Sequence, residues 1–243
     1  MVRAESGRGP SGSLPTSSRP LAAPFAARPD GRHENHPDFA HEESLVARGA
    51  RNVAGVDEVG RGPLAGPVVA AAVILDPARI PPGLHDSKSL SRRARERADL
   101  LIRESARIGL GEASVEEIEE LNISRATHLA MERAVAALGA APDHALVDGL
   151  HLPPNLPCPG SPLVRGDSRS LSIAAASIVA KVWRDGIMVA LAQQHPGYGW
   201  ETNMGYGSKS HMAALQAKGP TPHHRRTFAP VHKLLWQEGT ASR

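Results

Sequence analysis

The sequence predicts an α/β fold in which a mixed sheet is covered by helices. Two short apolar runs rich in β-branched residues, at 53–56 and 68–75, predict adjacent strands joined by a segment rich in glycine and proline. Extended and helical patterns then alternate along the rest of the chain. Strands that come first and are then mixed with helices favour a mixed sheet with helical cover.

The next elements are predicted from helix-capping signals. Ser91 is expected to cap a charged helix that runs to about Arg107, and a short strand is expected at 108–113. Ser114 and Glu117 then have the spacing of a capping box, which predicts the start of another helix.

The second half of the chain continues the alternation. Asn122 is expected to cap a helix, and short strands are expected at 145–147 and 162–164. A long helix is predicted at 172–195, with a core stripe formed by Ile173, Ala176, Ala180, Trp183, Ile187 and Leu191. Two shorter helices are predicted near the C-terminus, at 210–218 and 230–236.

One folded domain is predicted between two irregular ends. Residues 1–46 show no sustained period, so we expect a disordered N-terminal extension, with the domain at 47–238 and a frayed tail at 239–243. Cys158 is the only cysteine among 243 residues, which excludes an internal disulfide and favours a cytoplasmic location. No apolar run reaches the roughly 18 residues of a membrane span, so no membrane association is expected.

The composition limits how the chain could bind nucleic acid. The net charge of +3 is compatible with a nucleic-acid partner but does not require one. Aromatic residues make up 3% of the chain, so any base or sugar stacking must come from one or two individual side chains.

Three predicted strands end in acidic residues. Asp57 and Glu58 follow the first run, and Asp148 and Asp167 follow two later ones. Strand ends can gather at one edge of an α/β sheet, where four carboxylates could hold one or two divalent metal ions that activate water. Turn or capping roles are an equally good explanation for Asp148 or Asp167 taken alone. That explanation is weaker for Asp57 and Glu58, because burying two unpaired carboxylates is costly.

The adjacent acids impose a geometric condition. Consecutive strand residues point to opposite faces, so Asp57 and Glu58 can share a metal only if the strand ends or bends there. Gly60 and Gly62 favour such a break, and Arg61 between them supplies a charged group for phosphate. Without the preceding acids, a plain hairpin connection would explain this segment.

The sequence resembles ribonuclease HII, the type 2 ribonuclease H family, from about residue 53 to residue 236. The resemblance rests on these motifs: DEVGRGPLAGPV at 57–68, DSK at 86–88, VDG at 147–149, GDSR at 166–169, IAAASIVAKVWRD at 173–185, GYGSKSH at 205–211 and HHRRTFAPV at 223–231. Their order and spacing are highly specific when taken together, whereas no single motif would be.

The resemblance implies a ribonuclease H-like mixed sheet flanked by helices, with a small helical C-terminal extension. It also implies a site for Mg²⁺ or Mn²⁺ formed by four carboxylates, those of Asp57, Glu58, Asp148 and Asp167.

Substrate contacts are implied in the same way. Gly60, Arg61 and Gly62 are similar to the segment that senses the ribose 2′-hydroxyl and grips the adjacent phosphate. Tyr206 is similar to the tyrosine that stacks on the sugar after the ribonucleotide, which favours an RNA-to-DNA junction.

Four further side chains are candidates for contacts to the substrate backbone: Lys88, Lys181, Arg184 and Ser208. Lysine and arginine supply most of the affinity for phosphate. Lys181 could equally lie along a helix surface, and Ser208 could equally cap a helix.

The predicted function is hydrolysis of the RNA strand of RNA–DNA hybrids by metal-activated water, with incision at ribonucleotides embedded in duplex DNA as well. The expected partners are these two nucleic acids, and the protein is expected to be a monomer. Two other interpretations stay open: another nuclease of the same superfamily that acts on structured DNA, and a non-catalytic nucleic-acid-binding module whose acids serve as turns.

Overall fold

The computed structural model describes residues 36–241, with side chains described as far as Trp236. The strands of this part are β1 Val53–Val59, β2 Val68–Leu75, β3 Ala106–Ala113, β4 His144–Asp148 and β5 Gly160–Leu163. The helices are α1 Ala40–Val46, α2 Arg92–Ser105, α3 Val115–Leu121, α4 Ile123–Ala136, α5 Leu171–Gln194, α6 Trp200–Asn203, α7 Lys209–Lys218 and α8 Ala229–Ala241. A 3₁₀ turn, Gly166–Ser168, precedes α5.

The five strands form one sheet in the order β3-β2-β1-β4-β5. Strands β1, β2 and β3 pair antiparallel, whereas β4 pairs parallel with both β1 and β5. The predicted mixed α/β sheet is therefore confirmed, and β1 lies at its centre.

Helices cover both faces of the sheet. On one face, Ala70 and Ala72 of β2 pack with α4, and on the other Val69 and Ala71 pack with α2 and α5. Gly55 of β1 lets α5 approach the sheet closely, since a Cβ atom placed there would lie 2.1 Å from a backbone carbon of α5. The small residues of both layers thus bring the backbone of α5 against the central strand.

Several local predictions are confirmed by the side-chain contacts. Ser91 accepts a hydrogen bond from the Ala94 amide, and Ser114 and Glu117 form the complete capping box of α3. Asn122 accepts hydrogen bonds from two amides in the first turn of α4. These signals are found within four residues of sequence, so they do not depend on the rest of the fold.

The structure differs from the sequence prediction near both ends of the chain. Residues 1–35 lie outside the described residues, but 36–46 of the predicted disordered extension contain α1, whose buried Glu42 contacts the start of α5. Helix α8 continues to Ala241, into the segment predicted to be frayed. The short helix α6 was also not predicted.

Two predictions about element interiors are wrong. Trp183 is 42% exposed and therefore does not belong to the core stripe of α5. Strand β1 does not end at the acidic pair, because its register with β2 continues without interruption from Gly55 to Val59.

None of the described helices combines the length and the apolar character that a membrane span requires.

Candidate active site

The parallel pairing of β1 and β4 places two of the predicted acids side by side. Val56 is aligned with Val147, so the next residues along the strands, Asp57 and Asp148, are neighbours. Residues aligned in a parallel pair point to the same face, and here that face is the one covered by α5. The sheet register therefore brings together carboxylates that are 91 residues apart in sequence.

Asp57 is buried between hydrogen-bond donors and other carboxylates. Its side chain is 6% exposed, and its Oδ1 accepts a hydrogen bond from the Glu58 amide at 2.8 Å. The Ser177 hydroxyl of α5 also bonds the Asp57 carboxylate and lies 2.9 Å from the Ser87 hydroxyl. Burial raises the pKa of Asp57 well above its ordinary value, and the charges of Glu58 and Asp148 raise it further.

Glu58 reaches the same electrostatic environment from the other face of the strand. Burial raises its pKa, Arg61 opposes that effect from 3.6 Å, and the charge of Asp148 adds to it. Strand β4 ends at Asp148, so Glu58 lies beyond the last paired residue of β4. The end of the neighbouring strand, and not a bend in β1, is what opens this edge.

Asp167 lies in the 3₁₀ turn beside Asp148. The Gly166 amide donates a hydrogen bond to Asp148 Oδ1 at 2.6 Å, which ties the turn to the end of β4. Burial raises the pKa of Asp167, and the charges of Asp148 and Asp86 raise it further. Lys88 Nζ lies 3.8 Å from Asp167 Oδ2 and opposes that rise.

The four carboxylates form one electrostatically coupled group at the edge of the sheet. Three of them have pKa values raised by burial and by one another, so their ionised forms favour a cation nearby. An all-oxygen set of this kind suits a hard divalent cation. Within the part of the chain that the structure describes, no three His, Cys, Asp or Glu side chains are arranged so that they could together hold a metal ion. The four acids nevertheless supply the type of oxygen donor that a divalent cation prefers.

The connection between β1 and β2 lies beside the acids and meets a distant tyrosine. Gly60 and Gly66 have positive φ values of 95° and 83°, a backbone region that favours glycine. A Cβ atom placed at Gly62 would lie 3.3 Å from Cε1 of Tyr206, whose side chain is 47% exposed. The structure thus brings the Gly60–Arg61–Gly62 segment and Tyr206 into contact, although 144 residues separate Gly62 from Tyr206.

Comparison with known proteins decides which family has these motifs. The family described as ribonuclease HII matches residues 54–238. A ribonuclease HII from Ruegeria pomeroyi is 61% identical over 207 residues, which cover 85% of this chain and 88% of that protein. The chain belongs to the ribonuclease HII family. Membership makes it a ribonuclease H, an endonuclease that acts on RNA–DNA hybrids, and the family is divalent-metal dependent.

Solved structures of ribonucleases from this group share the fold. The ribonuclease H2 of Pyrococcus horikoshii OT3 superposes with a TM-score of 0.65 at 25% identity, covering 76% of this chain and 98% of that one. A structure of Bst-RNase HIII in complex with Mn²⁺ has a TM-score of 0.60 at 22% identity, covering 78% and 70% of the two chains. At that identity the likeness concerns the fold alone.

Three other side chains predicted to contact the substrate backbone, those of Lys88, Ser208 and Lys181, each interact with another residue of the chain. Lys88 is exposed beside Asp167, where burial lowers its pKa less than the surrounding carboxylates raise it. Ser208 caps α7 by accepting a hydrogen bond from the His211 amide. Lys181 is paired with Asp185 at 2.7 Å.

Arg184 was expected to contact phosphate, and the structure corrects that expectation. Its side chain is fully buried, and its guanidinium donates to the carbonyl oxygens of Ala65, Pro67 and Met204. Arg225, in the motif at 223–231, is also fully buried. No sequence signal distinguishes these two arginines from surface ones, because their partners are backbone carbonyls.

Proposed function

We propose that this ribonuclease HII incises DNA duplexes at single embedded ribonucleotides, in addition to cleaving the RNA strand of hybrids. The observation that supports the proposal best is the contact between the Gly60–Arg61–Gly62 segment and the exposed Tyr206, directly beside the acidic edge. A protein that distinguishes RNA from DNA must read the 2′-hydroxyl, and backbone groups at close range can do so. Tyr206 then offers one aromatic face for the neighbouring sugar.

Asp57, Glu58, Asp148 and Asp167 are proposed to hold Mg²⁺ or Mn²⁺. When bound, one or two such ions activate the attacking water and neutralise charge on the phosphate. The chain's own contribution is to keep these carboxylates close despite their repulsion. The Ser177 hydroxyl and the Glu58 amide hold Asp57, while the Gly166 amide holds Asp148.

Cations next to the acids are proposed to hold the nucleic-acid backbone. Arg61 and Lys88 each pair with one of the four acids at a distance above 3.5 Å; the Lys88 side chain is largely exposed and that of Arg61 about half exposed. These loose ion pairs leave both side chains able to contact phosphate. Lys181 and Ser208 stay weaker candidates, since each already has a partner in the fold.

The proposed assembly is a monomer located in the cytoplasm. All the proposed site residues come from one chain, so a second copy is not needed to complete the site. The single cysteine is compatible with a reducing compartment.

The proposal is tested by cleavage of a labelled DNA duplex that contains one ribonucleotide, with EDTA, Mg²⁺ or Mn²⁺. We expect incision at the ribonucleotide only with the metal, leaving a 3′-hydroxyl and a 5′-phosphate. Asp57→Asn should abolish incision while leaving hybrid binding largely intact. Asp76→Asn is the matched control, because Asp76 is an exposed acid that caps a turn just after β2. Near-normal turnover by Asp57→Asn would refute the metal assignment.

A further inference from the structure

Two buried arginines lie beneath the connection between β1 and β2, here called the GRG loop and defined as residues 60–67. Arg225 donates from Nη2 to the Gly60 carbonyl at 2.6 Å and from Nη1 to the Arg61 carbonyl at 3.0 Å. Its Nε and Nη2 both donate to the Gly66 carbonyl, at 2.9 and 2.8 Å. Arg225 therefore fixes both ends of the loop with a single planar group.

Arg184 also holds the C-terminal end of the GRG loop, and it holds residues 204–206, here called the tyrosine segment. Its Nη2 and Nε donate to the carbonyls of Ala65 and Pro67 at 3.1 and 3.0 Å. Its Nη1 donates at 2.9 Å to the carbonyl of Met204, two residues before Tyr206. One guanidinium thus connects the GRG loop to the tyrosine segment.

The backbone itself joins the same segments. The Leu64 amide donates to the Gly205 carbonyl at 2.8 Å, and the Arg225 amide donates to the Leu64 carbonyl at 2.8 Å. A Cβ atom placed at Gly205 would lie 2.6 Å from the Ala65 carbonyl oxygen, so these backbones are in direct contact. The distance between the GRG loop and Tyr206 is consequently set by buried groups.

The charge of the two arginines is unfavourable at this depth. Burial lowers the pKa of Arg184 to about 10 and that of Arg225 to about 9, the second being lowered further by the charge of Arg184. Both groups remain protonated at neutral pH. All the hydrogen bonds described for them go to carbonyl oxygens, and among the described residues neither forms an ion pair with a carboxylate. Apolar side chains in their place would leave six carbonyl oxygens without these donors, so the two guanidinium groups hold the backbone of the loop in its present arrangement.

We propose that Arg184 and Arg225 are positioning residues that hold the GRG loop and Tyr206 at one fixed separation, and thereby set the preference for an isolated ribonucleotide over a continuous hybrid. This inference rests on the proposed function of the GRG loop and Tyr206. Lysine keeps the charge but lacks the planar fork, so it cannot satisfy three carbonyls in this geometry.

The first test compares Arg184→Lys and Arg225→Lys with the parent enzyme on two substrates. One substrate is a DNA duplex with a single ribonucleotide, and the other is a continuous RNA–DNA hybrid. We expect kcat/KM for the single ribonucleotide to fall by about tenfold to a hundredfold relative to the hybrid, because misplacement of a positioning group by about 1 Å has effects of this size. Equal losses on both substrates would overturn the proposal in favour of a merely structural role.

Arg133→Lys provides the matched control. Arg133 also donates to a carbonyl oxygen, that of Glu112, and forms a two-armed pair with Glu117 on the face of the sheet covered by α4. Its replacement should lower the melting temperature without changing the ratio of the two kcat/KM values. A change in that ratio equal to the change in the Arg184 and Arg225 variants would overturn the proposal.

A double-mutant cycle separates this inference from the proposed function. Tyr206→Ala alone should lower the preference for the single ribonucleotide, and adding Arg184→Lys should then change the preference little further. If Tyr206→Ala leaves the preference unchanged, both the proposed role of Tyr206 and the inference fail. If it lowers the preference but Arg184→Lys acts independently, only the inference fails.

Hydrogen exchange on the unmodified protein covers the case in which the variants do not fold. The amides of Leu64, Gly66 and Arg225 donate between the joined segments, so they should exchange with similar protection. Exchange of the two loop amides orders of magnitude faster than that of Arg225 would show that the loop opens independently, and would overturn the inference.

Discussion

Removing the charge of Asp57 should make the protein more stable in the absence of metal. Asp57 is 6% exposed, and the charges of Glu58 and Asp148 act on it. Asparagine has nearly the same shape, and its Oδ1 can still accept the hydrogen bond of the Glu58 amide. Asp57→Asn therefore removes the repulsion and the desolvation of a charge without creating a cavity.

The size of the effect follows from general stability relations. Relieving unfavourable charge at a functional site contributes about 2 kcal/mol. For a domain of this size, that free energy corresponds to a rise in melting temperature of about 4–8 °C. The sign agrees with proton linkage: an acid whose pKa is raised on folding lowers the stability of the fold as the pH rises through that range.

A divalent cation should reverse the order of stability. A ligand at a hundred times its Kd stabilises the folded protein by about 2.7 kcal/mol, and Asp57→Asn should lose most of this gain because it lacks one ligand. Thermal unfolding in EDTA and in increasing Mg²⁺ should therefore give two melting curves that cross. Asp76→Asn should follow the parent throughout. A variant that melts below the parent in EDTA, or that gains as much from Mg²⁺ as the parent does, would refute this reasoning.

Two further predictions concern buried polar side chains outside the four-carboxylate site. Glu42 accepts hydrogen bonds from the Ser172 amide and from the Ser170 and Ser172 hydroxyls, so Glu42→Ala should destabilise the fold by about 3 kcal/mol in urea unfolding. Glu42→Gln should lose less, and equal losses would contradict a role as acceptor. Burial, aided by His211, lowers the pKa of His224 to about 4, so its contribution to stability should be lost as the pH falls from about 6.5 through 4. His224→Gln should flatten the fall in melting temperature over that range, and an unchanged slope would contradict the prediction.

Local signals explain why much of the fold could be predicted from the sequence. The caps at Ser91, Ser114 and Asn122 are formed by residues within four positions of each other. The strand β2 is a continuous run of small and β-branched residues, as a strand buried on both faces requires. Helix α1 was missed because it has only seven residues, and because its buried Glu42 is satisfied by residues about 130 positions later.

The acids of the candidate site could be predicted from the sequence because their chemistry depends on residue type. Acids at the ends of apolar runs pointed to one edge, and the alignment of β1 with β4 accounts for the pairing of Asp57 with Asp148. The role of Arg184 was not predictable, because its carbonyl partners leave no trace in residue types. An arginine in a motif is expected at the surface, and only tertiary structure shows that this one is buried.

Helix α5 explains how the separate parts of the site keep a common geometry. Its first turn is held by Glu42, Ser177 contacts Asp57, and Arg184 holds the GRG loop and the tyrosine segment. Twelve residues of helix separate Ser172 from Arg184, a distance of about 18 Å. Gly55 lets this helix lie directly against β1. A shift of α5 would therefore move Ser177, which contacts Asp57, together with Arg184, which holds the GRG loop. Widening the contact between α5 and β1 with Gly55→Ala should therefore impair metal-dependent cleavage and ribonucleotide preference at once, although Gly55 is buried between the strand and the helix.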